Sequence, residues 1–232
     1  MAVYMPPLLQ AAWVGNTATS EELIAGGADI DEPMADGSNA TPLYIASLKG
    51  HVHLVKLLLE HGAAIDLADI DGTTPLLLAS EDGNESIVQL LLERGAAVDM
   101  TSGAAPLFIA SQNGHEGVAK LLLRHGADIN KADSIGATPL AMASRQGHGA
   151  IVRLLLEHGA AVNQPSTSGT TPLTVACRFG HLEIVQMLSS YGASRSFWIR
   201  DHGMTAEEVA NAHGHDNITE WLTSSCELPL RQ

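Results

Sequence analysis

Aromatic side chains are scarce in this chain, with three Trp, three Tyr and three Phe among 232 residues. Large ring plugs therefore cannot build the interior. Leu, Ala, Ile and Val must do so, as suits thin packed layers. Positive charge is scarce too: twelve Lys and Arg stand against 26 Asp and Glu, for a formal charge of −14. Such a surface repels phosphate backbones and anionic lipid heads, so no direct nucleic-acid partner is expected. There are only two cysteines, Cys177 and Cys226, with no Cys-x-x-Cys pair and no Cys/His metal spacing. A disulfide framework needs more, and this usage fits a reducing intracellular compartment, the cytoplasm or the nucleus. No run of 18 apolar residues occurs, so no membrane insertion is expected. The stretch from Met1 to Asn16 lacks the basic start of a signal peptide.

The motifs of common catalytic sites are missing as well. The chain has no phosphate-cradling glycine loop, no dinucleotide fingerprint, no nucleophile elbow and no His-Glu-x-x-His. It reads as non-enzymatic, without cofactor or metal. Its eleven histidines do not alter this, because His115, His148 and His181 recur every 33 residues, as do His125 and His158. Equivalent positions on stacked repeats lie about 10 Å apart, too far to share an ion bound at about 2 Å. These histidines read as helix-terminal residues beside helix-ending glycines, where positive charge is favoured; His215 keeps the register. Cys177, within Val175-Ala176-Cys177, reads as a small core residue with no local base to activate it.

What the chain does have is a period. Thr41-Pro42-Leu43, Thr74-Pro75-Leu76, Thr138-Pro139-Leu140 and Thr171-Pro172-Leu173 share one motif, with Ala105-Pro106-Leu107 between them, and the proline steps are 33, 31, 33 and 33 residues. A fixed period in this range marks repeats that pack only on their neighbours. Thr41 is an N-cap, and Pro42 takes the first helical position, where a missing N–H costs nothing. A short apolar helix follows and ends near Gly50, since glycine takes the left-handed conformation cheaply. The second helix carries Leu54, Val55, Leu58 and Leu59, one apolar stripe at helical spacing. The stripe recurs at Ile87, Val88, Leu91 and Leu92, at Val118, Ala119, Leu122 and Leu123, and at Ile151, Val152, Leu155 and Leu156. Helix-ending glycines recur at Gly83, Gly114, Gly147 and Gly180, and at Gly62, Gly95, Gly126, Gly159 and Gly192.

Motif, period and paired glycines together resemble the ankyrin repeat, a β-turn followed by two helices that starts Thr-Pro-Leu-His-x-Ala. The motif histidine is absent; Tyr44, Leu77, Phe108, Ala141 and Thr174 stand in its place, which weakens the threonine–histidine bond usual in the family. The resemblance implies an all-α solenoid of stacked helix-turn-helix units with short β-hairpin-like fingers. It is expected as one domain over 1–225, with repeats near 5–35, 36–68, 69–100, 101–132, 133–165, 166–199 and 200–225, and a loosely ordered tail at 226–232. The first and last units are degenerate. Polar Thr19 and Ser20, and Thr219 and Thr223, replace apolar stripe positions there, as solvent-facing caps require. The finger at 99–103 is two residues short, whereas Ser196-Phe197-Trp198-Ile199-Arg200-Asp201 carries three bulky apolar residues that either pack under the last cap or offer a sticky contact.

The resemblance also implies a concave groove lined by the fingers and first helices. The residues just before each first-helix glycine face it, and they change at every step: Leu48-Lys49, Glu81-Asp82, Gln112-Asn113, Arg145-Gln146, Arg178-Phe179 and Ala212-His213. The finger tips vary as well, among them Ile70-Asp71, Thr101-Ser102, Ser134-Ile135 and Thr167-Ser168. The partner-binding residues are accordingly Lys49, Ile70, Asp71, Glu81, Asp82, Gln112, Asn113, Arg145, Gln146, Arg178 and Phe179. An acidic front and a basic–aromatic rear suit a partner segment with one basic end and one acidic or aromatic end. The expected protein is a monomeric adaptor that binds a partner protein. Two alternatives stand beside it: the recognition subunit of an enzyme complex such as a ubiquitin ligase, and, through Asn130 with Leu122, Asp128 and Ile129 ahead of it, the substrate of an asparagine hydroxylase.

Overall fold

The computed structural model describes residues 4–101, 103–196 and 203–225. Ser102, the Phe197-Trp198 finger and the 226–232 tail with Cys226 lie outside the described residues. Fourteen helices and no strand occur among those described. They come as seven pairs: α1 Pro7–Val14 with α2 Thr17–Ala25, α3 Pro42–Leu48 with α4 Val52–Glu60, α5 Pro75–Glu81 with α6 Glu85–Glu93, α7 Pro106–Asn113 with α8 Glu116–Arg124, α9 Pro139–Gln146 with α10 Gly149–Glu157, α11 Pro172–Phe179 with α12 Leu182–Ser190, and α13 Ala206–Ala212 with α14 Asp216–Ser224. The chain forms two compact units. One runs to Ile109 and includes Lys120–Ala127; the other comprises Ala110–Ala119 and the chain from Asp128 onward. In the first unit α3 packs between α1 and α5, with α2, α4 and α6 as a second layer. In the second unit α11 packs between α9 and α13, with α10, α12 and α14 behind.

Four of the first helices, α3, α5, α9 and α11, begin on a threonine cap. The hydroxyls of Thr41, Thr74 and Thr138 accept the N–H of Tyr44, Leu77 and Ala141, each at 3.2 Å. Thr171 accepts from Thr174 N–H at 3.3 Å, and the Thr174 hydroxyl in turn accepts the Thr171 N–H at 2.8 Å. Thr174, standing where the motif has histidine, thus closes a reciprocal cap of its own. The stripe residues Leu54, Val55, Leu58, Ile87, Val88, Leu91, Val118, Ala119, Leu122, Ile151, Val152 and Leu155 are all buried, while Leu59 and Leu123 at its edge are half-buried. One register of the first helices carries small buried residues. Ser80 and Ser144 are buried and donate to the Leu76 and Leu140 carbonyls at 2.7 Å. Cys177 occupies the same register, fully buried. Burial pushes its thiol up to about 12, against a smaller opposing pull from Arg195, so it stays protonated.

Two expectations need correction. Ser20 does not face solvent: it is buried, and its hydroxyl donates to the Asn16 carbonyl at 2.9 Å, which satisfies it locally. The fingers are hairpin-like, with no strand among the described residues. Those at 69–73, 133–137 and 166–170 are each closed by a backbone bond, Asp69 N–H to Thr73 O at 3.0 Å in the first, where the Asp69 carboxylate also accepts the Asp71 and Thr73 amides. Finally, His148, His181 and His215 sit not at helix C-termini but at the N-caps of α10, α12 and α14. Their Nε2 atoms donate to the carbonyls of Gln112, Arg145 and Arg178 in the preceding repeat, each at 3.0 Å. A staple between repeats, rather than attraction to a helix end, is their role. His125 and His158 do follow helix ends, their Nδ1 atoms bonded to the Leu121 and Leu154 carbonyls at 2.9 and 2.8 Å. At the N-cap register of His148 and His181, Asn84 accepts the Ile87 N–H at 3.3 Å and so caps its own helix.

The staple needs glycine beneath it. Gly147 has φ of 82°, and a Cβ there would come within 2.8 Å of the His181 ring. Gly147→Ala is therefore expected to cost more than His181→Ala, which forfeits a hydrogen bond worth about 0.5–1.5 kcal/mol. The double variant should cost less than the two single losses added, because removing the ring removes the clash. Urea unfolding of all three variants checks this, and strictly additive losses would refute it.

A second comparison checks the core register. Leu122 is fully buried, so Leu122→Ala should destabilise by about 2–5 kcal/mol. Gln112 is half-buried rather than exposed as expected, but the histidine bond uses its backbone carbonyl. Gln112→Ala leaves that carbonyl in place and should cost within about 1 kcal/mol. Equal denaturation midpoints for the two variants would refute the assignment.

Candidate protein-interaction surface

At four joints between repeats, an Asp or Asn side chain accepts one backbone amide of the next repeat. In the first unit the carboxylates of Asp31 and Asp66 accept the Ala64 and Ala97 N–H groups at 3.0 and 3.1 Å. In the second unit the amide oxygens of Asn130 and Asn163 accept the Ala161 and Ser194 N–H groups, both at 2.8 Å. These acceptors hold the fingers against the helices. Neighbouring fingers are tied directly as well, Ile70 N–H to Ser38 O and Thr167 N–H to Ile135 O, each at 2.9 Å. The last turn of each first helix thus projects from a fixed base.

On that base lie the residues singled out from the sequence. In the second unit Arg145, Gln146, Arg178 and Phe179 end α9 and α11 and are exposed; Asn113 is exposed and Gln112 half-buried. The structure brings three of them together. The Arg145 and Arg178 guanidinium carbons lie 5.3 and 5.9 Å from the centre of the Phe179 ring, which is 43% exposed. Those two distances cap the separation of the two charges at about 11 Å, close to one screening length of about 8–10 Å. An anion beside the ring would feel both.

In the first unit Lys49, Glu81 and Asp82 are exposed at the ends of α3 and α5, and Ile70, 70% exposed, and Asp71 form a finger tip. Two contacts here had not been anticipated. Lys49 Nζ lies 3.9 Å from the centre of the Trp13 ring, a cation–π contact at the end of α1. Trp13-Val14 precedes Gly15 in the register of Leu48-Lys49 before Gly50, so the period itself carried the signal. The Tyr44 hydroxyl donates to Asp69 Oδ2 at 2.8 Å. Burial first, then that bond and the charges of Asp69, Asp71 and Glu81, raise the phenol pKa above its ordinary value.

Among the described residues, no group of three His, Cys, Asp or Glu is placed to hold a metal ion, and no helix is long and apolar enough to cross a membrane.

The family model for ankyrin repeats matches this chain in three copies, at residues 8–102, 97–166 and 161–231. The crystal structure of the human ASB11 ankyrin repeat domain superposes with a TM-score of 0.86 and 29% identity, covering 97% of this chain and all of that one. The fold is thus the all-α ankyrin-repeat class. The human ankyrin repeat and KH domain-containing protein 1 is 38% identical over 63 residues, 27% of this chain. The chain spans only 2% of that protein's length.

The structural use of Asn130 is testable on its own. Asn130→Ala leaves the Ala161 amide without its acceptor and should cost about 1–3 kcal/mol. Asn130→Asp should retain most of the stability, because Asp31 and Asp66 do the same work with a carboxylate. Equal melting points for the two variants would refute the role.

Proposed function

Because the chain belongs to the ankyrin repeat family, we propose that it is a non-catalytic module that binds a segment of a partner protein along its fingers and first-helix ends. Modules of this kind generally serve protein–protein interaction, and nothing in the chain points to catalysis. The observation that carries the proposal is the Arg145–Phe179–Arg178 cluster. Two planar guanidiniums offer forks suited to carboxylates. The ring between them supplies area to desolvate, and arginine beside an aromatic is a frequent hot-spot pairing. On a chain of net charge −14, two exposed cations beside one ring mark where an acidic or aromatic partner segment meets least repulsion. A recognition subunit of an enzyme complex would use the same surface.

The test is the double variant Arg178→Glu with Phe179→Ala, checked for unchanged helicity and melting, in quantitative capture of partners from cells. Partners bound by the native chain should be lost, with a direct affinity at least about tenfold weaker for the strongest of them. Undiminished capture of every partner would remove the cluster from the binding surface.

A further inference from the structure

The first unit carries a row of a different character. Trp13-Val14, Leu48-Lys49 and Glu81-Asp82 occupy one register at the ends of α1, α3 and α5, and these helices pack side by side in that order. A terminal repeat is expected to turn a polar face outward, yet Trp13 is 44% and Val14 68% exposed. Trp13 is fixed on both sides. His51 Nε2 lies 3.4 Å from its carbonyl, and the Lys49 ammonium sits over its ring. The row therefore has an apolar end, a cation leaning onto that end, and two carboxylates at the far end. Asp69 and Asp71 add to the negative field around Tyr44 on the same first helix as Lys49.

We infer that this row takes an extended segment of a partner protein that presents an apolar side chain to Trp13 and Val14 and a lysine or arginine to Glu81 and Asp82. This rests on the proposal that the first-helix ends bind a partner, and it adds a second specificity of opposite charge to that of Arg145 and Arg178. The spacing follows from helix packing. Adjacent helices lie about 8–10 Å apart, so α1 to α5 is roughly 16–20 Å, which an extended chain at about 3.3 Å per residue covers in five or six residues. The apolar and basic residues of the partner are therefore that far apart in sequence. An acidic segment is disfavoured here, since it would bring like charge onto Glu81 and Asp82.

Random peptides long enough to span the row, displayed on phage and panned against the full chain, test this. Three folded variants serve as controls: Trp13→Ala, Asp82→Lys and Arg178→Glu. The expected enrichment is an aliphatic or aromatic residue with Lys or Arg five or six positions away. A synthetic copy of an enriched peptide should bind about tenfold more weakly to Trp13→Ala and to Asp82→Lys, and equally well to Arg178→Glu. It should also fail when its own basic residue becomes glutamate. Enrichment of no such pattern, or binding indifferent to Trp13→Ala and Asp82→Lys, overturns the inference. So does a dimer in sedimentation velocity that Asp82→Lys dissolves without any peptide being selected, since the occupant would then be a second copy. Acidic peptides lost only on Arg178→Glu report on the second-unit cluster, so the two readings stand or fall separately.

Discussion

Four of the joints between repeats turn on one Asp or Asn side chain that accepts the next repeat's amide. Asp31 and Asp66 in one unit, and Asn130 and Asn163 in the other, each meet a backbone N–H some thirty residues ahead. A thin helix pair cannot bury its apolar face alone, so the apolar contact supplies the drive to associate but little register. The polar contact supplies the register, because a slipped neighbour would leave a half-buried N–H unpaired at about 1–3 kcal/mol. The histidines of the second-helix N-caps add a second fixed point on the other side of the joint, reaching carbonyls of the preceding repeat.

With the helix interiors and joints committed to packing, chemistry is free to vary at the last turn of each first helix and at the finger tips. That is where charge and aromatic residues gather. Arg145, Arg178 and Phe179 converge in the second unit, whereas Trp13 and Lys49 converge in the first, whose first-helix ends and finger tip also carry Asp71, Glu81 and Asp82. A rigid base matters for binding, because side chains held in place lose little further freedom when a partner docks. The scarcity of aromatics sharpens the point, since a chain with so few rings leaves two of them at exposed helix ends beside cations.

Much of this was legible in the linear chain. The period of Thr-Pro-Leu and the glycine pairs located helix ends because capping and the αL turn are local: a threonine hydroxyl reaches an amide three residues on, and no distant contact is needed. The buried stripe at Ile87, Val88, Leu91 and Leu92 followed from helical spacing in the same way. The ring contacts were less legible. Arg145, Arg178 and Phe179 shared or adjoined a register, so their meeting could be anticipated, but Trp13 was overlooked although it stands in that register too.

What the sequence by itself determined is the repeat, its caps and its apolar stripes, because these depend on neighbours three or four residues away. What only the tertiary structure decided is the use of side chains that look outward along the chain. The N-cap histidines became staples, Ser20 turned inward, and Asn130 became a joint acceptor. Each of those outcomes depends on a partner atom supplied by another turn or another repeat. A periodic sequence lists the donors and acceptors, but their pairing is chosen by how closely the helices pack.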